Sequence, residues 1–373
     1  MPVNGRIDPA LKLDNRERMI RSILGQDVDR LPLTIFDPWP ETVERWKREG
    51  YPEDADYNTY FGFDRGWGVF SHIGVNLGYY PAFESKVLED RGRTKIIQDG
   101  AGSILEVMAG SYSLPKFIRP AVSDWESWEK TKERLNPRSP ERYPDWEAEV
   151  KRFTESDSEV RIGCYPYGLF GTLRDMMGVE ELLVNFYDQP ELIHDMMDYL
   201  TDFWLAIYEE TARHIQIDNI HIWEDMSGRQ GPLISPAMFR EFMTPNYKKI
   251  VAFAKDRNIP IVSVDTDGNM DVMMTVLSEA GINMVLPFEV QAGCDVVAIK
   301  KQYPHIGLLG GINKLALTKD RKAIDAELDR VDPLFHQSGY IPNLDHAVHL
   351  DISFDNFKYF VEQLKIRLGI YTA

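Results

Sequence analysis

From residue 159 onward the chain keeps one rhythm. Six short apolar segments recur: "VRIGCY", "NIHIWE", "PIVSVD", "NMVLPF", "IGLLGG" and "GYIPNL". Each has the length and β-branched content of a buried strand. Between several of them lie amphipathic helices. "DVMMTVLSEAG" places Val272, Met273, Val276, Leu277 and Ala280 on one face and ends at Gly281, a residue suited to a helix C-terminus. "SPAMFREFM" opens with Ser235 as a cap and Pro236 at the first helical position. "SFDNFKYFVEQLKIRLG" runs from a Ser353 cap to Gly369, with Phe357, Phe360, Val361 and Leu364 on one stripe. Strands alternating with helices imply a parallel sheet with helices outside it.

The N-terminal part supplies what the count still lacks. Residues 1–13 read as a loose arm. "DNRERMIRSILGQ" reads as a helix, with Asp14 as cap and Glu17 three positions later. "LPLTIF" (31–36) reads as a strand. With one more N-terminal strand the total reaches eight, which predicts an α/β fold: a (β/α)8 TIM barrel with an N-terminal helical extension. The competing arrangement is an open doubly wound sheet, but no G-x-G-x-x-G fingerprint follows an early strand. Residues 38–158 are rich in aromatics and glycine. They contain a hairpin-like stretch, "RTKIIQDGAGSILEVMAG", and end in a charged helical stretch, "DWESWEKTKERL". Residues 1–373 are expected to form a single barrel domain.

Bulk properties narrow the partners. The chain has 373 residues, 43% of them hydrophobic, so a packed core is expected. Acidic residues number 59 against 42 basic ones, a net charge of -17, which argues against nucleic acid or an anionic membrane as partner. Cys164 and Cys294 are the only cysteines, too few for a disulfide framework. No signal-peptide pattern or membrane-length apolar run is present, so a cytoplasmic protein is expected. A homodimer is left open.

In such a barrel, chemistry sits at the carboxyl ends of the strands. There the sequence places Asp37, Trp39 and Glu41 after the first strand, then Cys164, Tyr165, Tyr167 and Phe170. Glu224 and Asp225, Asp265 and Asp267, Glu289, Asn313, and finally Asp345 and His346 follow later strands. A single acid at a strand end is usually a cap or a loop salt bridge. Asp265 is harder to set aside, since in "IVSVDTDGNMD" it belongs to the strand itself. Acids converging on one mouth would repel one another, and their pKa values would rise. A metal ion, a cationic substrate or arginines should relieve them. The weaker candidates have plain readings. His221 is as well suited to the core as to a site, His349 reads as surface, and Met270, Met273, Met274 and Met284 as core. The glycine pair of "GLLGGIN" would let a ligand approach the backbone closely.

At this point the motifs carry a resemblance. "NRERMIRSILGQDVDRLPL", "WEDMSGRQGPLISPAMFREFMTPNYKKIVAFAKDRNIPI", "DGNM", "PFEV", "GGINK" and "YIPNLDHAVHLDIS" resemble the uroporphyrinogen decarboxylase-like superfamily over most of the chain. The resemblance implies a (β/α)8 barrel. It also implies either tetrapyrrole decarboxylation or corrinoid-dependent methyl transfer. The decarboxylase carries an arginine-rich R-Q-A-G-R-Y segment after the first strand. Here that place reads "FDPWPETVERW", where Arg45 is outnumbered by acids, and Asp37 and Glu41 would repel a substrate with eight carboxylates. Thiol-activating methyltransferases of the superfamily hold zinc on a His-x-Cys and a second Cys. The corresponding positions here are Asp265, Asp267 and the "NLDH" segment, without a cysteine. A harder O/N site remains, of the kind the resemblance assigns to the demethylating component of ether O-demethylases.

The implied activity is a corrinoid-dependent methyltransferase that moves a methyl group from a methoxylated, aromatic small molecule to the cobalt of a separate corrinoid protein. The chain has no D-x-H-x-x-G corrinoid motif, so cobalamin would arrive on a partner. Glu224, Asp225, Asp265, Asp267 and His346 are the expected catalytic residues. Asp265, Asp267, Glu289 and His346 are the expected ligands of a zinc-like metal. Trp39, Tyr165, Tyr167, Phe170 and Asn313 are expected to bind substrate, with Trp67, Tyr79 and Tyr80 as further candidates for an apolar slot. The alternatives are a decarboxylase of another acid, for which Arg65, Arg174 and Arg229 would face the mouth, and a non-catalytic binding protein.

Overall fold

The computed structural model describes residues 4–64, 72–108 and 115–370. Trp67 and Arg65 lie outside them. Along the chain, a four-stranded antiparallel sheet comes first: β1 (Lys86–Asp90), β2 (Thr94–Gln98), β3 (Ile104–Met108) and β4 (Lys116–Arg119), paired in that order. The expected hairpin is β2 with β3. Next come β5 (Arg161–Ile162) and β6 (Asn219–Trp223), a two-residue hairpin of β7 (Ser227–Gly228) and β8 (Gly231–Pro232), then β9 (Ile261–Asp265), β10 (Met284–Leu286), β11 (Gly307–Leu309) and β12 (Tyr340–Ile341).

The second sheet is parallel, in the order β12-β11-β10-β9-β6-β5. Two N-terminal segments take the places on either side. His72 bridges Arg161 and Pro38 bridges Val348, both in parallel. The fold is therefore the α/β (β/α)8 barrel. The "LPLTIF" segment does stand in the first strand position, with Leu31, Leu33 and Ile35 buried, but it forms no continuous ladder. Its Phe36 N–H donates to the Asn343 side chain at 2.9 Å instead of to a strand backbone.

The N-terminal helix Asn15–Ile23 closes the amino end of the barrel. Asp14 caps it, accepting from the Glu17 N–H at 2.7 Å. Its Met19 and Ile23 join Ile261, Met284, Leu286, Leu309 and Ile341 in one small apolar cluster. Gly307 is required there, because a Cβ would stand 2.5 Å from the Ile23 carbonyl oxygen. The outer faces of the strands pack on the surrounding helices in one large core.

The helix expectations hold with one shift. Ser353 caps Phe354–Arg367, whose Phe357, Phe360, Val361 and Leu364 are all buried. Ser235 caps a single turn that continues as a π-helical segment, Phe239–Met243. The helix read from "DVMMTVLSEAG" starts only at Met274, so Val272 is exposed while Met273 and Met274 are buried.

Candidate active site

The strands decide which side chains enter the barrel. Neighbours on a strand alternate faces. In β6 Asn219, His221 and Trp223 share one face, and in β9 Ile261, Ser263 and Asp265 do. Ile220, Ile222, Val262 and Val264 pack outward. The inner face between these strands is polar and linked. The Asn219 amide donates to Glu159 Oε1 at 2.7 Å, and Ser263 Oγ donates to Asn219 Oδ1 at 2.9 Å. His221 Nδ1 lies 2.8 Å from Ser263 Oγ, and His221 Nε2 lies 3.9 Å from Asp265 Oδ2.

This chain fixes protons. Ser263 has spent its single proton on Asn219, so His221 Nδ1 must donate to it. Burial, then the Arg161 charge, holds the His221 pKa well below its usual value, so the ring is neutral. Its Nε2 therefore presents a lone pair toward Asp265. Loss of solvation, then the Asp267 charge, raises Asp265 well above the carboxylate range. Both shifts favour the uncharged forms of the facing pair, His221 and Asp265.

Across the mouth, Asp267, Glu289 and His346 offer ligand atoms within 4.8 Å of one another. His346 Nε2 stands 3.4 Å from Asp267 Oδ2, and that hydrogen bond, opposed by burial, raises the imidazole pKa. Glu289 is held from two sides, by the Gly268 N–H at 3.0 Å and by Lys314 Nζ at 3.7 Å. Phe288 sits at φ +64°, a strained conformation that turns the chain just before Glu289. Asp345 is fully buried and accepts from the Val290 and Lys314 N–H groups, both at 3.0 Å. It ties the loops after β10 and β11 together beneath the cluster. Gly268 has φ +77°, and a Cβ there would lie 2.5 Å from the Ser227 carbonyl.

Three of the expected residues do other work. Glu224 is fully buried and accepts from the N–H groups of Leu169, Phe170 and Gly171, at 3.0, 2.6 and 3.1 Å, and from the Tyr247 hydroxyl at 2.5 Å. It anchors the amino end of helix Leu169–Met177 on β6, and burial pushes its pKa up to about 7. Phe170 is fully buried against Phe186 and does not reach the mouth. Asn313 caps the turn after β11, its Oδ1 accepting from the Leu315 N–H at 3.0 Å. The glycine pair also serves packing. A Cβ at Gly310 would meet the Pro287 carbonyl and one at Gly311 the Val296 side chain.

Asp265 lies outside the three-residue cluster but on the same rim. Trp39 leans over that rim, with its ring centroid 6.5 Å from His346 and 5.2 Å from His349. Asp225 turns away at φ +42° and pairs with Arg174, Nη1 to Oδ2 at 2.5 Å. Beyond it lies a cavity of about 930 Å³, between the strand ends of β5 and β6 and the antiparallel sheet. Tyr79, Tyr165, Tyr167 and Trp223 line it. Cavity and cluster share a wall: the Asp225 N–H donates to the Asp265 carbonyl at 3.4 Å and the Asn269 N–H to the Gly228 carbonyl at 2.9 Å. Arg174's pairing with Asp225 has no signature in the sequence, and neither do Asp99 and Asp175, which also line the cavity. Asp175 follows Arg174 on a helix and Asp99 sits in a hairpin turn, so neither stands at a strand end.

The donor set suits a divalent ion. One imidazole and two carboxylates, without a thiolate, match a zinc-like or harder cation. Among the described residues no helix is long and apolar enough to cross a membrane.

Comparison with known proteins places this architecture. A family model described as uroporphyrinogen decarboxylase (URO-D) matches residues 96–366. A uroporphyrinogen decarboxylase from Desulfotalea psychrophila is 26% identical over 167 residues, 44% of this chain and 45% of that protein. One from Danio rerio is 26% identical over 188 residues, 47% of each. The matched stretch thus spans about half the length of these relatives. Among solved structures, a methyltransferase from Methanosarcina mazei superposes with a TM-score of 0.57 at 17% identity, covering 97% of this chain and 100% of that one. At that identity the likeness is one of fold.

Proposed function

The chain belongs to the uroporphyrinogen decarboxylase family, and within it we propose a methyltransferase that takes the methyl group of a methoxylated aromatic molecule and passes it to the cobalt of a separate corrinoid protein. One observation carries the reading: the Asp267–Glu289–His346 cluster, an acid and imidazole site without thiolate, shares a wall with a cavity lined by aromatic rings.

The chemistry asks for help at the ether oxygen. A methyl ether is a poor methyl donor because its leaving aryloxide is poor. As the carbon–oxygen bond breaks, the methyl group would pass to the partner's reduced cobalt, which supplies the bonding electron pair, and the aryloxide oxygen would take a proton from water. A zinc-like ion held by Asp267, Glu289 and His346 would act as a Lewis acid on that oxygen. The chain's own residues orient and bind. Asp267 fixes the His346 ring, Lys314 and the Gly268 N–H fix Glu289, and Asp265 faces the buried His221 on the same rim. Tyr165 and Trp223, edge to face at 4.6 Å, give the donor ring an apolar wall.

The decarboxylase reading rests on the names of the curated relatives. It asks for cations to hold carboxylates. Arg174 is already engaged by Asp225 and Arg229 is exposed. The deciding experiment mixes the purified protein with a reduced corrinoid protein and a panel of methoxybenzenes, and follows the cobalamin absorbance. A spectral change that needs both protein and donor supports methyl transfer. No change with any donor, together with carbon dioxide release from a carboxylated substrate, overturns it.

A further inference from the structure

The cavity beside the cluster carries more charge than an uncharged aromatic ether can use. Asp99, Asp175 and Asp225 all line it, with Arg174 as the cation among them. Arg174 Nη1 is committed to Asp225 at 2.5 Å, and its Nε reaches Asp175 Oδ1 only at 3.8 Å. Asp175 accepts no hydrogen bond among the described residues. Asp99 spends Oδ1 on the Ala101 and Ser103 N–H groups of its turn, at 3.0 and 2.8 Å. Burial lifts the Asp175 pKa to about 6, with Arg174 opposing and Asp225 and Asp99 adding to the rise. Tyr79 lines the same space near Asp99 and Asp175, and its buried hydroxyl has no hydrogen-bond partner among the described residues. An acceptor oxygen, two undercompensated carboxylates and several ring faces therefore converge on one space. A neutral ligand would strip water from these acids and return at most a hydrogen bond without compensating their charge. A cation would pair with them and lie against the rings.

We propose that this cavity selects a positively charged methyl donor, an aryl methyl ether bearing an ammonium group that sits among Asp99, Asp175 and Tyr79. The proposal rests on the methyl-transfer reading for what happens at the methoxyl, but not for the charge preference itself. Binding is therefore measured without any corrinoid protein.

The probes are three matched ligands, 4-methoxybenzylamine, 4-methoxybenzyl alcohol and 4-methoxybenzoate, titrated calorimetrically into the whole protein. The amine should bind about tenfold tighter than the alcohol, about 1.4 kcal/mol. The benzoate should bind more weakly than the alcohol. Raising the salt concentration should weaken the amine and leave the alcohol nearly unchanged, a readout on the unmutated chain. Asp175→Asn should bring amine and alcohol within about threefold of each other. Equal binding of amine and alcohol by the wild type, or tightest binding of the benzoate, overturns the proposal. Absence of methyl transfer with a corrinoid protein would sink the functional reading and leave this ranking intact.

Discussion

His346 Nε2 stands 3.4 Å from Asp267 Oδ2, although the two residues follow strands separated in the sheet by β10 and β11. The contact closes an acid–imidazole–acid cluster with Glu289 over the barrel mouth. If the cluster holds a metal, removing either partner should be felt in metal affinity before it is felt in the fold. His346→Ala and Asp267→Ala should each lower zinc affinity by about 100-fold or more, read by competition with a chromogenic chelator. Unchanged zinc content and activity in His346→Ala would remove the metal assignment.

Asp265 should behave differently from its neighbour two residues on. Its carboxyl, with a raised pKa, faces the neutral His221 ring, so the amide of Asp265→Asn can supply a hydrogen-bond donor at that place. This variant should retain zinc within about threefold of wild type and unfold within about 1 kcal/mol of it. A loss of zinc as large as that of Asp267→Ala would make Asp265 a ligand.

Glu224 supports the helix Leu169–Met177, and its removal leaves three N–H groups and the Tyr247 hydroxyl buried without an acceptor. Glu224→Ala should cost about 2–4 kcal/mol in urea denaturation.

The same residue predicts a pH dependence. Its pKa is about 7 in the fold, against an ordinary 4.5. Between those values the folded state holds a proton the unfolded chain has lost. The contribution is full below pH 4.5 and disappears as pH rises through 7. Glu224→Gln should remove about one proton's worth of slope, roughly 1.4 kcal/mol per pH unit, from stability measured between pH 5 and 7. An unaltered slope in the variant would show that Glu224 is ionised throughout.

Asp345→Ala should loosen the cluster without touching it. Two N–H groups lose their acceptor, so stability should fall by about 1–3 kcal/mol. Glu289 and Lys314 sit on the two loops released, so zinc affinity should fall about 10-fold or more as well. A stability loss alone would restrict Asp345 to the fold.

The pattern along the chain was enough for the barrel and for one end of it. Apolar periodicity of two and of 3.6 is local, so β6, β9, Ser353 with its stripe, and the Gly281 terminus could be read directly. So could the recurrence of acids after successive strands, which put Asp267, Glu289 and His346 at one mouth. What the linear pattern could not settle was which acid does which work. Glu224 and Asp265 both end strands. One meets the amino end of a helix 55 residues earlier and the other meets a buried imidazole. Phe170 looked like a pocket aromatic and is core, while Asp175 and Asp99 lie on a helix and in a turn that no strand-end rule points to. Burial and partners set the charge and role of an ionisable group, and both come from segments far away in sequence, so only the packed fold assigns them.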